Sequence, residues 1–276
     1  MNKIVLKIII GLFVLIFVAL FAVLILERLR KVEHTNVEFL NKQGETEKSN
    51  NNIVWQFNGN SWQSFGDTTS CTNVISLIPP VDFTKVTTLL LPGQIRGNAF
   101  KAHGGFRFDG LQNNNLDVVM PIDSKLIRGS MYEENGEIQY MLDFISDCGV
   151  MVKFDHILKL SPKLEDIVKN ELILGKDGDS RTTNFKTQIY FNSGELIALQ
   201  VGHKNPLNIA LDFGIYDLNT QNLASKNIVF NEKYFSNSET AFYGVCWLNY
   251  FSTEENMLLK SIKTDSVEGN VSDYCN

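Results

Sequence analysis

No C-x-x-C pair occurs among the four cysteines of this 276-residue chain, Cys71, Cys148, Cys246 and Cys275, which argues against a zinc ribbon. No P-loop, no Rossmann glycine fingerprint and no Ser-His-Asp spacing is present, so these nucleotide-binding and serine-hydrolase signatures are missing. A basic stripe interleaved with aromatics is also lacking. With 25 Lys and Arg against 31 Asp and Glu, the net charge is −6 and the pI near 5.3. Such a surface suits a polyanion poorly, and nucleic acid is set aside as a partner. Helical periodicity is scarce, and internal repeats are absent.

What is present begins with a long apolar run. Ile8 to Leu26 contains no charged or strongly polar residue. At about 1.5 Å per residue it nearly spans a ~30 Å hydrocarbon core. The residues after it, Glu27-Arg28-Leu29-Arg30-Lys31, do not resemble a small-residue cleavage site. Residues 4–27 are therefore expected to be an uncleaved transmembrane anchor. Lys3 and Lys7 on one side nearly balance Arg28, Arg30 and Lys31 on the other, so the positive-inside rule favours a cytoplasmic domain only slightly.

Residues 28–53 read as a polar linker, because Asn41 to Asn52 has no apolar periodicity. Roughly 220 residues remain, the size of one domain or of one with an extension. A core of that size folds without a metal or a disulfide. Four cysteines permit disulfides in an exported domain. A tail is worth ordering only when tied down, which makes Cys246–Cys275 the candidate bridge. Four reduced thiols in a reducing compartment are the alternative.

The remainder predicts strands joined by turns. Nineteen Phe, eight Tyr and frequent β-branched residues favour sheet, and Gly and Asn punctuate the chain. After a first run at Ile53-Val54-Trp55, short runs recur at Asn73–Ile78, Thr87–Leu91, Gly105–Phe108, Leu116–Met120, Lys125–Met131, Glu137–Phe144, Gly149–Phe154, Thr187–Phe191, Leu196–Val201 and Asn208–Tyr216. Glu133-Glu134-Asn135-Gly136 carries the Asn-Gly hairpin signal. Ser161-Pro162 opens one short helix to about Leu172, and Glu254 to Ile262 is a second candidate. The expectation is an all-β domain over 54–217 with a C-terminal extension over 218–276.

Chemistry centres on the four histidines, His34, His103, His156 and His203. His34 lies in the linker. His103 opens His103-Gly104-Gly105-Phe106-Arg107-Phe108, a glycine-rich approach to a strand. Val118-Val119-Met120-Pro121-Ile122-Asp123-Ser124 follows, then Gly149 to His156, in which His156 ends a strand. Gly194 to Gly202 precedes His203, and Ala210-Leu211-Asp212-Phe213 closes the series. In order and spacing, residues 88–217 resemble the lysostaphin-type (LytM-like) zinc endopeptidases of peptidoglycan. The resemblance implies a compact β-sandwich or barrel, the first zinc signature at His103, a catalytic histidine at His156, and the final His-x-His signature at Ala210 and Asp212.

The departures bear on function as much as the matches. The family's aspartate zinc ligand corresponds to Arg107, and its last two histidines correspond to Ala210 and Asp212. Arginine has no lone pair to give and stays charged. A guanidinium about 4 Å from a dication costs roughly 8 kcal/mol at an effective dielectric near 20. Loss of zinc also removes the acidified water that serves as nucleophile. The resemblance thus implies a non-catalytic binding or regulatory module at the cell envelope. It would face outward and meet peptidoglycan or another envelope protein through a groove of His103, Arg107, Asp109, His156 and Asp212, with Arg107 paired to Asp212 in place of the metal. No cofactor is expected on that reading. An active peptidase with zinc on rearranged ligands, His103, Asp109 and Asp212 with His156 near, is the alternative. A structural protein using Phe242 to Cys275 as its contact surface is a third. On the plainest reading His103 and His156 are hydrogen-bonded structural residues, Arg107 is a solvated strand residue, and Trp247 belongs to the core.

Overall fold

The computed structural model describes residues 53–66, 76–265 and 271–275. The expected anchor, nearly all of the linker, His34 and Cys71 lie outside the described residues, as does the first half of the strand expected at Asn73–Ile78. Among the described residues no helix is long and apolar enough to cross a membrane.

Strands dominate. The main sheet holds β1 (Thr88–Leu90), β2 (Gly104–Arg107), β3 (Asn115–Val119), β4 (Ser124–Glu134), β5 (Glu137–Ile145), β6 (Val150–Leu160), β7 (Leu174–Gly175), β8 (Thr183–Phe191), β9 (Leu196–Val201) and β10 (Ala210–Asp217). Its path runs β7-β4-β5-β6-β10-β2-β1, with β8 also on β4, and with β9 joining β6 to β3. Every pairing except that of β7 with β4 is antiparallel. Small hairpins stand apart from it, including Gln94–Arg96 with Ala99–Lys101 and His203–Lys204 with Leu207–Asn208. The helix α1 (Pro162–Glu171) forms where Pro at the first helical position predicts it.

Alternation along the central strands divides the sheet into two faces. Phe106 of β2, Leu142 and Phe144 of β5, Val152 and Phe154 of β6, and Leu211 and Phe213 of β10 enter the main core. Phe213 lies 5.6 Å from both Phe106 and Phe154, and Phe106 lies 5.0 Å from Trp247, ring centre to ring centre. Aromatic contacts of this kind are worth about 0.5–1.5 kcal/mol each beyond area burial. The intervening residues, Asp143, Lys153, Asp155 and Asp212, belong to the opposite face.

Residues after 217 do more than extend the domain. They form α2 (Ile228–Tyr234), α3 (Ser238–Ala241) and α4 (Thr253–Ser261) with single turns between them. Trp247 and Phe251 complete the main core, while Phe230, Phe242 and Tyr243 complete a second one. Cys246 and Cys275 are joined, S–S 2.02 Å. No described cysteine is free.

Candidate functional site

The site grows from one irregularity in β6. Its first half pairs with β10 from Val150↔Asp217 to Asp155↔Asp212. Its second half pairs with β9, starting at Ile157↔Val201. The register with β5 also shifts between Phe154 and Ile157. His156 falls at this change of partner with φ +61°, a left-handed conformation uncommon outside glycine. The strand therefore continues past His156, where the sequence had suggested its end. A bulge re-aims a side chain, and here it turns the His156 imidazole toward Asp212 and Glu134.

Asp212 stands on β10 opposite Gly105 of β2. A Cβ at Gly105 would lie 2.6 Å from the Leu211 carbonyl oxygen and 3.1 Å from Asp212 Oδ1, so only glycine leaves this room. Gly214 does the same beside His103, whose Cβ is 3.0 Å from the place a Cβ would take. His103 Nε2 consequently reaches Asp212 Oδ2 at 2.9 Å. His156 Nε2 approaches the same oxygen at 3.9 Å, and His156 Nδ1 faces Glu134 Oε2 at 3.4 Å. His203 Nε2 is 3.8 Å from that Glu134 oxygen, and the His156 and His203 rings are 5.1 Å apart. Tyr132 donates its hydroxyl to Asp155 Oδ1 at 2.7 Å, and the same oxygen accepts the His156 backbone N–H.

These groups shape one another electrically. Burial opposes charge on Asp212, but His103, His156 and Arg96 hold its carboxyl well below the usual range. Burial likewise opposes the imidazolium of His156, yet Asp155, Asp212 and Glu134 outweigh it and raise its pKa. His203 moves the other way, lowered by burial and then by the charge of His156. Burial and Asp155 push the Tyr132 phenol up. An imidazole between two carboxylates can hold a proton and pass it to either side.

A cavity of about 430 Å³ opens over this cluster, lined among others by His103, Tyr132, Glu134, Asp155, His156 and Asp212. Gly178 and Ser180 border it from one loop, and Asn237, Thr240 and Ala241 from the C-terminal segment. Three of the five expected groove residues thus come together. Arg107 and Asp109 do not line the cavity. Arg107 Nη1 meets Asp265 Oδ2 at 3.0 Å and Nη2 meets Asp109 Oδ1 at 3.3 Å. Asp109 also accepts the Thr87 and Thr88 hydroxyls. The expected Arg107–Asp212 pair is therefore corrected: Arg107 pairs with Asp109 and Asp265, and Asp212 faces His103. Arg96 also acts on Asp212 through its charge, and it donates to the Leu91 and His103 carbonyl oxygens.

The zinc centre that the lysostaphin resemblance implies does not fit this donor set. Arg107 supplies no lone pair and Ala210 no donor at all. Asp109, offered as a replacement ligand, is held by Thr87, Thr88 and Arg107. Among the described residues, one group offers three donors within 4.8 Å of one another: Glu134, His156 and His203. Two of these are absent from the expected groove: the sequence marks Glu134 only as part of a hairpin and His203 only as a histidine after a glycine. The Asn135-Gly136 turn and the glycine before His203 were the available signals, and neither points to chemistry by itself.

No family model matches the chain, and no curated protein matches it. Among solved structures it is similar to Csd3 of Helicobacter pylori, at 12% identity and a TM-score of 0.36. That likeness covers 76% of this chain and 45% of the other, so the chain spans less than half of that protein's length, and it fixes no correspondence of residues.

Proposed function

We propose that the chain is a degenerate lysostaphin-like domain, anchored in a membrane by residues 4–27 and facing outward, that binds an envelope ligand without cleaving it. The observation that carries this reading is the contact of His103 Nε2 with Asp212 Oδ2 at 2.9 Å. Two positions that the resemblance would give to a metal here face each other as an ion pair. The third is an arginine occupied by Asp109 and Asp265. The motif order, the sheet-rich fold and the Cys246–Cys275 bridge agree with an exported, envelope-facing role.

The ligand class follows from the cavity. Its volume of about 430 Å³ is in the range of small-ligand sites. Imidazoles, carboxylates, a phenol and the Ser180 hydroxyl suit a polar chain with amide and hydroxyl groups, such as a peptidoglycan stem peptide. The test is co-sedimentation of the detergent-solubilised full chain with purified insoluble peptidoglycan, alongside an assay for newly exposed amino groups. Retention that falls at least tenfold in His156→Ala, with no release of amino groups by the wild type, is the expected result. Peptide-bond cleavage that disappears in His103→Ala would overturn it, as would retention indifferent to His156.

A further inference from the structure

We propose that Glu134, His156 and His203 form a binding site for a divalent transition-metal ion, with zinc as the best-suited ion. The site is separate from the positions that the lysostaphin resemblance would assign to a metal. It goes beyond the binding-module reading and does not depend on it.

Three observations carry the assignment. The first is spacing. Donors about 2.0–2.2 Å from a tetrahedral zinc stand roughly 3.3–3.6 Å from one another. His156 Nδ1 to Glu134 Oε2 is 3.4 Å and His203 Nε2 to Glu134 Oε2 is 3.8 Å. All three donors fall within 4.8 Å of one another.

The second is unmet polarity. Glu134 Oε2 and His156 Nδ1 are buried and make no hydrogen bond. His203 as a whole is only 8% exposed. Buried polar atoms are nearly always satisfied, so two such atoms facing one another at 3.4 Å call for a bridging partner. A cation satisfies a carboxylate and an imidazole lone pair at once.

The third is the support behind the donors. His156 Nε2 is 3.9 Å from Asp212 Oδ2, and that carboxylate directs the other nitrogen of the ring toward Glu134. An imidazole between a metal and a carboxylate is a recurrent arrangement in metal sites. The backbone is equally fixed. The Gly202 N–H donates to the His156 carbonyl oxygen at 2.7 Å, Asn114 Nδ2 donates to the His203 carbonyl oxygen at 3.2 Å, and Gln139 Nε2 donates to the Gly202 carbonyl oxygen at 3.1 Å. Two nitrogens and one carboxylate oxygen match the preferences of zinc and leave a coordination position free. Glu134 and His156 both line the cavity, so a ligand there has access to that position.

The test is metal content and zinc affinity of the detergent-solubilised full chain without peptidoglycan, with cobalt substitution as a spectroscopic readout of the ligand field. One equivalent of zinc is expected, with cobalt absorption of tetrahedral intensity. His203→Ala and the near-isosteric Glu134→Gln should each lower affinity at least a hundredfold. Asp212→Asn should lower it about 10–100-fold, as for other groups that support a ligand. His103→Ala should keep the metal. Circular dichroism melts accompany each variant, and Glu134→Gln decides the matter if His203→Ala does not fold. The proposal is overturned if the wild type takes up no stoichiometric metal, or if Glu134→Gln binds as tightly as wild type. It is equally overturned if His103→Ala loses the ion along with the others, because that places the metal at His103 and Asp212. Failure of peptidoglycan retention leaves all of these readings unchanged.

Discussion

Two charged clusters share the same face of the central sheet, and their contrast separates structural charge from functional charge. In the first, Asp143 is fully buried and receives Arg128 Nε at 2.7 Å and Lys153 Nζ at 2.9 Å. Arg128 extends to Glu239 of the C-terminal segment, which closes the group. Lys153 lies directly across from Asp143 in the β5–β6 register. In the second, Asp212 and Glu134 face His103, His156 and His203. The first cluster pairs permanent charges with one another. The second pairs carboxylates with groups that can lose their charge, over an open cavity.

The sharpest way to break the comparison is to remove the central carboxylate of each cluster in turn. Asp143→Ala leaves the buried Lys153 without a carboxylate and Arg128 with Glu239 alone, and should cost about 3–5 kcal/mol, read from denaturant midpoints. A loss below about 1 kcal/mol would mean that the first cluster is no more structural than the second. Acid sharpens the same point. Burial opposes charge on Asp143, but Lys153 and Arg128 lower its pKa in the fold. Its contribution is therefore fully present above the unfolded carboxyl value of about 3.9 and is lost as pH falls through the lower folded value. Asp143→Asn should remove that share of the acid-induced loss, so its stability should fall less steeply than wild type between neutral and strongly acidic pH.

Asp212→Asn should cost only about 1 kcal/mol, because His156, whose pKa Asp212 helps to raise, can release its proton when the carboxylate is gone. Its main effect should appear in ligand or metal affinity. A stability loss matching that of Asp143→Ala would place Asp212 among the structural charges and weaken its assignment to the site.

The sheet was legible because alternation is written into the strands: Val150-Met151-Val152-Lys153-Phe154 sends its apolar members to the core and Lys153 to the charged face. The meeting of His103, His156 and Asp212 was legible as well, through the order of short motifs. The bulge that turns His156 was not, since a change of partner strand is a tertiary event and leaves no local pattern. Glu134 and His203 were hidden for a similar reason. They lie at two hairpins remote in sequence, and only the pairing of β4, β5, β6 and β9 brings them together. The C-terminal segment read as an appendage because its helices are short, although Trp247 and Phe251 fill the core.

Arg107 is the case in which sequence position misleads most. It occupies the place of a metal ligand in the resemblance, and on that ground it was expected to reach Asp212. Its partner instead is Asp265, 158 residues along the chain, together with Asp109. Its side chain is 36% exposed, and those of its partners 47% and 45%. Exposed ion pairs of this kind contribute about 0–1 kcal/mol. Arg107→Ala should therefore shift thermal stability by less than about 1 kcal/mol and leave zinc affinity and peptidoglycan retention within about twofold of wild type. A larger shift in either binding measurement would carry Arg107 into the site. The second cluster would then hold a permanent cation of its own, and the distinction between the two charged regions would fail.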